Sequence, residues 1–171
     1  MCMIRAATRG ALIVALVGGC SSAPPVKEQL GLELQVITDS QTNPDEMNRA
    51  APIEVRIYEL KSSAAFESAD FYALQNDAKN TLSGDVLAVD EFILRPGASR
   101  MIRRRVSGEA TAIGVIAAYR NLGKSVWRDT WRLPVTPDAA WYRAVIPAQK
   151  LRLKIRLEEQ AVSITELGKG Q

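Results

Sequence analysis

Leu151, Leu153, Ile155 and Leu157 alternate without a break with Arg152, Lys154, Arg156 and Glu158. A helix turns about 100° per residue and would scatter such a set around its axis, whereas a strand puts every second side chain on one face. This stretch therefore fits only a strand with one face on a core and the other in water. The same period of two recurs where Leu30, Leu32, Leu34 and Val36 alternate with Gly31, Glu33 and Gln35, and again along Ile53-Glu54-Val55-Arg56-Ile57-Tyr58. Pro52 can open the latter strand without removing a ladder hydrogen bond. Between these two lies a long polar connection from Asp39 to Ala51, too long for a tight hairpin.

Further strands follow between turn residues. Val86 to Leu94 is mainly apolar, with Asp90-Glu91 leaving room for a bend; Arg95-Pro96-Gly97 reads as a turn, and Ala98 to Val106 as the next strand. Ala112 to Tyr119 is apolar almost throughout, which predicts a central position, with Gly114 letting another group pack closely. Asn121-Leu122-Gly123-Lys124 forms a loop to a strand over Val126 to Trp131. A short strand over Tyr142 to Ile146 comes next, and the last strand is expected to run on through Val162 and Ile164. About eight short strands predict an all-β, two-sheet β-sandwich. One segment departs from the pattern: Phe71, Leu74 and Ala78 recur at helical spacing within Ser63 to Leu82, with Asp70 or Ser68 as a cap. One or two short helices are expected there after the second strand, packed over one end of the sandwich.

The first residues belong to no such fold. Arg5 and Arg9 precede a short apolar run, Ala11 to Val17, followed by Gly18-Gly19 and Cys20. Seven apolar residues are far short of the roughly twenty needed to span a bilayer core. The pattern is that of an export signal, and Val17-Gly18-Gly19-Cys20 has the form of a lipobox, in which the cysteine thiol is acylated before cleavage. The expected division is a cleaved signal over 1–19, a lipidated N-terminus and proline-containing tether over 20–29, a sandwich domain over 30–165 and a tail over 166–171. One acyl chain anchors only marginally, and stable attachment needs at least two; a bacterial lipoprotein cysteine usually carries three. Ser21 stands where an aspartate typically retains a lipoprotein in the inner membrane, which points Cys20 to outer-membrane lipid at the periplasmic face.

Composition narrows the chemistry. Arg5 and Arg9 leave with the signal, so of 22 basic residues 20 remain against 19 acidic ones, a net charge of +1 that gives no basis for nucleic-acid binding. Removing 19 of 171 residues leaves 152, enough for one core. Cys2 is lost with the signal and Cys20 is acylated, so no cysteine remains for a disulfide. The chain has no histidine, which excludes a Ser-His-Asp or Cys-His arrangement and a histidine metal ligand. Asp85, Asp90, Glu91 and Asp129 could form a carboxylate pair, but their spacing is that of surface charge. No catalytic residue, no metal and no cofactor beyond the covalent lipid is expected. Arg100, Arg103, Arg104 and Arg105 read as a solvated edge strand, with an anionic lipid or acidic partner as the other reading. Trp127, Trp131 and Trp141 read as core, the alternative being a platform for a small ligand or glycan in the periplasm.

Several segments in order resemble TssJ, the outer-membrane lipoprotein family of type VI secretion systems. They are the lipobox cysteine, Asn43-Pro44-Asp45, Pro52 to Leu60, Phe66 with Ala69-Asp70-Phe71 and Leu74, Pro96-Gly97, Gly114 to Arg120 and Trp127-Arg128. The resemblance covers nearly the whole mature chain, and Ile53 to Leu60 followed by Ala69-Asp70-Phe71 is its most specific part. It implies a transthyretin-like sandwich with added helices. It also implies that the protein holds the periplasmic C-terminal region of the inner-membrane protein TssM, and through it TssL, and so fixes the secretion membrane complex to the outer membrane. The family's contact loop lies between the first two strands, which here is Asp39, Ser40, Gln41, Thr42, Asn43, Pro44, Asp45, Glu46, Met47, Asn48 and Arg49, up to Ala51. Read from the residues alone, that loop is equally a solvated connector with a turn at Asn43-Pro44-Asp45.

Overall fold

The computed structural model describes residues 29–135 and 150–168. Cys20, the signal, Trp141 and the strand expected over Tyr142 to Ile146 lie outside the described residues. Within them are eight strands and two α-helices: β1 (Leu30–Thr38), β2 (Ile53–Leu60), α1 (Ala64–Ser68), α2 (Phe71–Thr81), β3 (Val86–Leu94), β4 (Ser99–Val106), β5 (Ala112–Ala117), β6 (Arg128–Arg132), β7 (Lys150–Leu157) and β8 (Val162–Glu166). The strands form two four-stranded sheets, in the orders β4-β1-β7-β8 and β3-β2-β5-β6. The fold is an all-β sandwich, as the alternation predicts. β1 sits inside its sheet, antiparallel to β4 and parallel to β7.

The predicted inward faces build the core between the sheets. Leu32, Leu34 and Val36 of β1 and Leu151, Leu153 and Ile155 of β7 meet Val55 and Ile57 of β2 and Ile113 and Val115 of β5. β5 is buried along its whole length because both of its faces are covered. Ile113 and Val115 face the other sheet, while Ala112 and Ile116 join Tyr58 and Leu60 under Phe66, Phe71, Leu74 and Leu82 from the helical segment. The helices thus cover the outer face of the β2-β5 sheet rather than one end of the sandwich. A strand apolar on both sides needs a layer on both sides. The glycine in that strand does what its position predicts: a side-chain carbon on Gly114 would lie 2.7 Å from the tip of the Phe66 ring. Asp70 is the residue that caps α2, accepting from Ala73 N–H at 3.0 Å.

Four other expectations change. β3 runs through Asp90-Glu91 without a bend: Asp90 pairs with Arg104 of the other sheet (2.7 Å), and Glu91 with Arg56 of the neighbouring strand (3.3 Å). The final strand divides: Glu158 N–H bonds to Ala161 O (2.8 Å), the chain reverses, and Val162 and Ile164 pair back on β7 as β8. β6 starts at Arg128, and Val126 before it makes a single bridge to Ala161. The arginines of β4 do not form one solvated face. Register sets Arg104 opposite inward Leu32, whereas Arg103 and Arg105 stand opposite outward Glu33 and Gly31. Arg104 closes one open side of the sandwich onto Asp90 and Glu59, and Arg100 lies 4.5 Å over the Phe92 ring beside it. At the other side Asp129 accepts the Ile164 N–H at 2.7 Å, tying β6 to β8. Asp90, Glu91 and Asp129 are therefore structural. Trp127 and Trp131 are half-buried against the core, as read from the sequence.

Candidate functional site

The connection from Asp39 to Ala51 divides into a buried root and an exposed tip. Thr42 and Asn43 are almost wholly buried. Thr42 Oγ1 donates to Leu157 O at 2.7 Å. Asn43 takes a left-handed backbone (φ 55°), which asparagine tolerates better than most residues. Its N–H donates to Glu159 O (3.0 Å), its Nδ2 to Pro52 O (2.9 Å), and its Oδ1 accepts Arg120 N–H (2.8 Å). One side chain thereby joins the loop to the start of β2, the end of the β5 segment and the β7-β8 turn. Asp39 is held by a two-pronged pair with Arg156, at 3.0 and 2.9 Å. Tyr119, pinned beneath by its hydroxyl to Ala161 O (2.6 Å), is pushed above the usual phenol range by burial and then by Glu158 and Asp39.

The tip is a closed clip. Asp45 Oδ1 accepts the N–H groups of Met47 and Arg49, both at 2.9 Å, while its Oδ2 receives Arg49 Nε at 2.8 Å. Asp45 N–H reaches Arg49 O (2.9 Å), and Asn48 closes the turn with φ 59°. The outcome is Met47 held outward with 76% of its surface exposed, on a backbone ordered before any partner arrives. Beside it lies a groove of about 500 Å³ lined by Pro44, Met47, Arg49, Arg120, Asn121 and Gln160. Ser40 and Gln41 are exposed, whereas the inward side chains of Thr42 and Asn43 are out of a partner's reach. Nothing in the sequence assigns Arg120, Asn121 or Gln160 to this site, since only the three-dimensional junction brings their turns beside the loop.

Asp45 is held below its ordinary value of 3.8, first by the Arg49 backbone N–H and then by the Arg49 side chain. A carboxyl with a lowered folded value stabilises the clip above its unfolded value and stops doing so as pH falls through the folded one. Carbon-detected NMR titration should give an Asp45 midpoint under 3.8, with the clip intact at neutral pH. A midpoint at or above that value would mean that the clip is open in solution.

The fold and site define an all-β sandwich that presents an ordered, solvent-facing loop. Among the described residues no group of three or more metal-ligating side chains comes together, and no helix is long and apolar enough to cross a membrane. Comparison with known proteins agrees with this class. The family model for type VI secretion lipoproteins, described by the names VasD, EvfM and TssJ, matches residues 31–160. The chain is similar to TssJ1 of Pseudomonas aeruginosa, a type VI secretion lipoprotein (33% identity over 86% of this chain and 100% of that one, TM-score 0.71). It is similar to Lip of Serratia marcescens, a membrane-bound component of that system (31% identity, 86% and 100% covered, TM-score 0.68). A chain of a type VI membrane complex shares the fold at 24% identity, with 83% and 98% covered and a TM-score of 0.63. No curated protein sequence matches. The chain belongs to the type VI secretion lipoprotein family.

Proposed function

We propose that this protein is an outer-membrane lipoprotein, acylated at Cys20 on the periplasmic face, that anchors the type VI membrane complex by gripping the periplasmic C-terminal region of TssM, and through it TssL. Its 39–51 loop is the grip. The observation that carries this reading is the two-part loop: a root buried through Thr42 and Asn43 and a tip that exposes Met47 on a clip already closed. A pre-ordered contact loses little freedom on binding, which favours affinity, and an unbranched thioether adapts to an apolar partner surface.

Replacing Glu46-Met47-Asn48 with Gly-Ser-Gly leaves the root in place. Affinity for the TssM periplasmic fragment, measured by calorimetry, should fall at least about ten-fold, as loss of a central contact does, with the thermal midpoint barely moved. Full affinity in the folded variant would sink the loop assignment. A Cys20→Ser protein should bind the fragment normally, wash off membranes at about 0.5 M salt where the acylated protein stays, and fail to support secretion; normal secretion would refute the anchoring role.

A further inference from the structure

We propose that the corner of the β4-β1-β7 face where β1 begins is a second membrane contact, seated on the anionic phospholipid headgroups of the membrane that holds the chain's lipid. The proposal rests on acylation of Cys20, and its test is arranged to separate the two. Register places Arg105 and Lys150 on either side of Gly31, and Arg103 and Arg152 on either side of Glu33. All four cations point outward, with the Arg103 and Arg152 side chains 71% and 47% exposed. Among the described residues, Glu33 is the one carboxylate paired with this group, 3.2 Å from Arg103 and 3.8 Å from Arg152. Gly31 adds no side chain between Arg105 and Lys150, and the surface there sinks into a depression of about 360 Å³.

Three further observations favour a membrane. The surplus is local, since at the far end of the same face Arg156 is answered by Asp39 at 2.9 Å and Glu158 at 3.7 Å. Edge protection accounts for Arg103 and Arg105 on the edge strand β4 but not for Lys150 and Arg152, because β7 lies inside the sheet between β1 and β8. Position decides the occupant: the ten residues from 20 to 29 that lead to the lipid enter the fold at Leu30, beside this corner. Fully extended they reach about 35 Å, so the tether holds the patch close to the bilayer at high effective concentration. Attraction to an anionic surface decays over about 8 Å at physiological salt, and clustered Lys and Arg bind anionic leaflets through it. Docked this way, the domain stands with the 39–51 loop turned away from the bilayer.

The mature chain from residue 20 with Cys20→Ser keeps every described element and isolates the patch from the lipid. It should sediment with phosphatidylcholine vesicles containing about one third phosphatidylglycerol, with at least about ten-fold greater partition than on pure phosphatidylcholine, and lose this at about 0.5 M salt. Arg103→Gln, Arg105→Gln, Lys150→Gln and Arg152→Gln together should abolish the preference. Lys79→Gln, Arg95→Gln, Lys124→Gln and Arg132→Gln, which remove as many exposed charges elsewhere, should preserve it. Equal partition on both vesicle types, or a preference that survives the first set with an unchanged thermal midpoint, overturns the proposal. So does loss of TssM binding in that set from a protein indifferent to anionic vesicles, which would make the corner a protein interface. With Cys20 intact the first set should still fractionate with membranes; only its failure to do so speaks against acylation.

Discussion

Phe66→Ala is expected to lower the free energy of unfolding by about 3–5 kcal/mol, the range for truncating a fully buried aromatic side chain, a large part of the roughly 5–15 kcal/mol that holds a domain of this size. The ring is fully buried and lies in the notch at Gly114, with Tyr58 tilted against it at 5.4 Å between centroids. Its backbone serves the same joint: the carbonyls of Phe66 and Ala69 accept Arg128 Nη1 at 2.7 and 2.8 Å. Truncation would leave a cavity between the helices and β5 that neither rigid element can close. A converse change tests the fit. Gly114→Ala sets a carbon 2.7 Å from the ring tip and should cost about 1–3 kcal/mol through overpacking. In a Phe66→Leu background the same substitution should cost less, because the two changes share one space. Urea unfolding of the four proteins gives the cycle, and additive costs would show that ring and glycine do not meet.

Asn43→Ala is expected to cost roughly 3 kcal/mol and to weaken partner binding with it. Pro52 O and Arg120 N–H would each lose a buried partner, at about 1–3 kcal/mol apiece if water does not enter. Alanine also tolerates the left-handed backbone worse than asparagine. Asn43→Gly separates the two causes: it accepts φ 55° and should recover about 1 kcal/mol while leaving both hydrogen bonds broken. Thermal unfolding beside calorimetry with the TssM fragment makes the comparison. Had either variant matched the parent in stability, the root would not be what orders the loop.

Much of this architecture is legible in the sequence because a period of two has a single structural meaning. β1, β2 and β7 follow directly from their alternating leucines, isoleucines and valines, and the unbroken apolar run at Ala112–Ala117 marks the strand covered on both sides. What escapes reading has physical causes. An amphipathic pattern at Phe71, Leu74 and Ala78 says that a helix has a buried face but not which surface buries it. The reversal between β7 and β8 falls on Glu158-Glu159-Gln160-Ala161, with neither Gly nor Pro to announce it. Arg103, Arg104 and Arg105 are identical residues in a row, so their sequence conceals that alternate ones face opposite ways. At the loop, Asn43-Pro44-Asp45 announces a turn, but nothing in a linear chain shows that Asn43 is its foundation and Met47 its summit.

β1 lies between two neighbours and joins two quite different places: the chain from Cys20 enters at Leu30, and the 39–51 loop leaves after Thr38, roughly 26 Å further on at about 3.3 Å per residue. If a moving secretion machine pulls on the loop while the lipid resists, the tension runs along this one strand. Ladder hydrogen bonds stand across the strand axis, so such a pull shears the rows to β4 and β7 together and cannot peel them apart one at a time. The same strand loaded from its side would unzip bond by bond. On the proposed anchoring role, the direction in which the chain threads its own fold suits a fastener that resists along the line on which it is drawn.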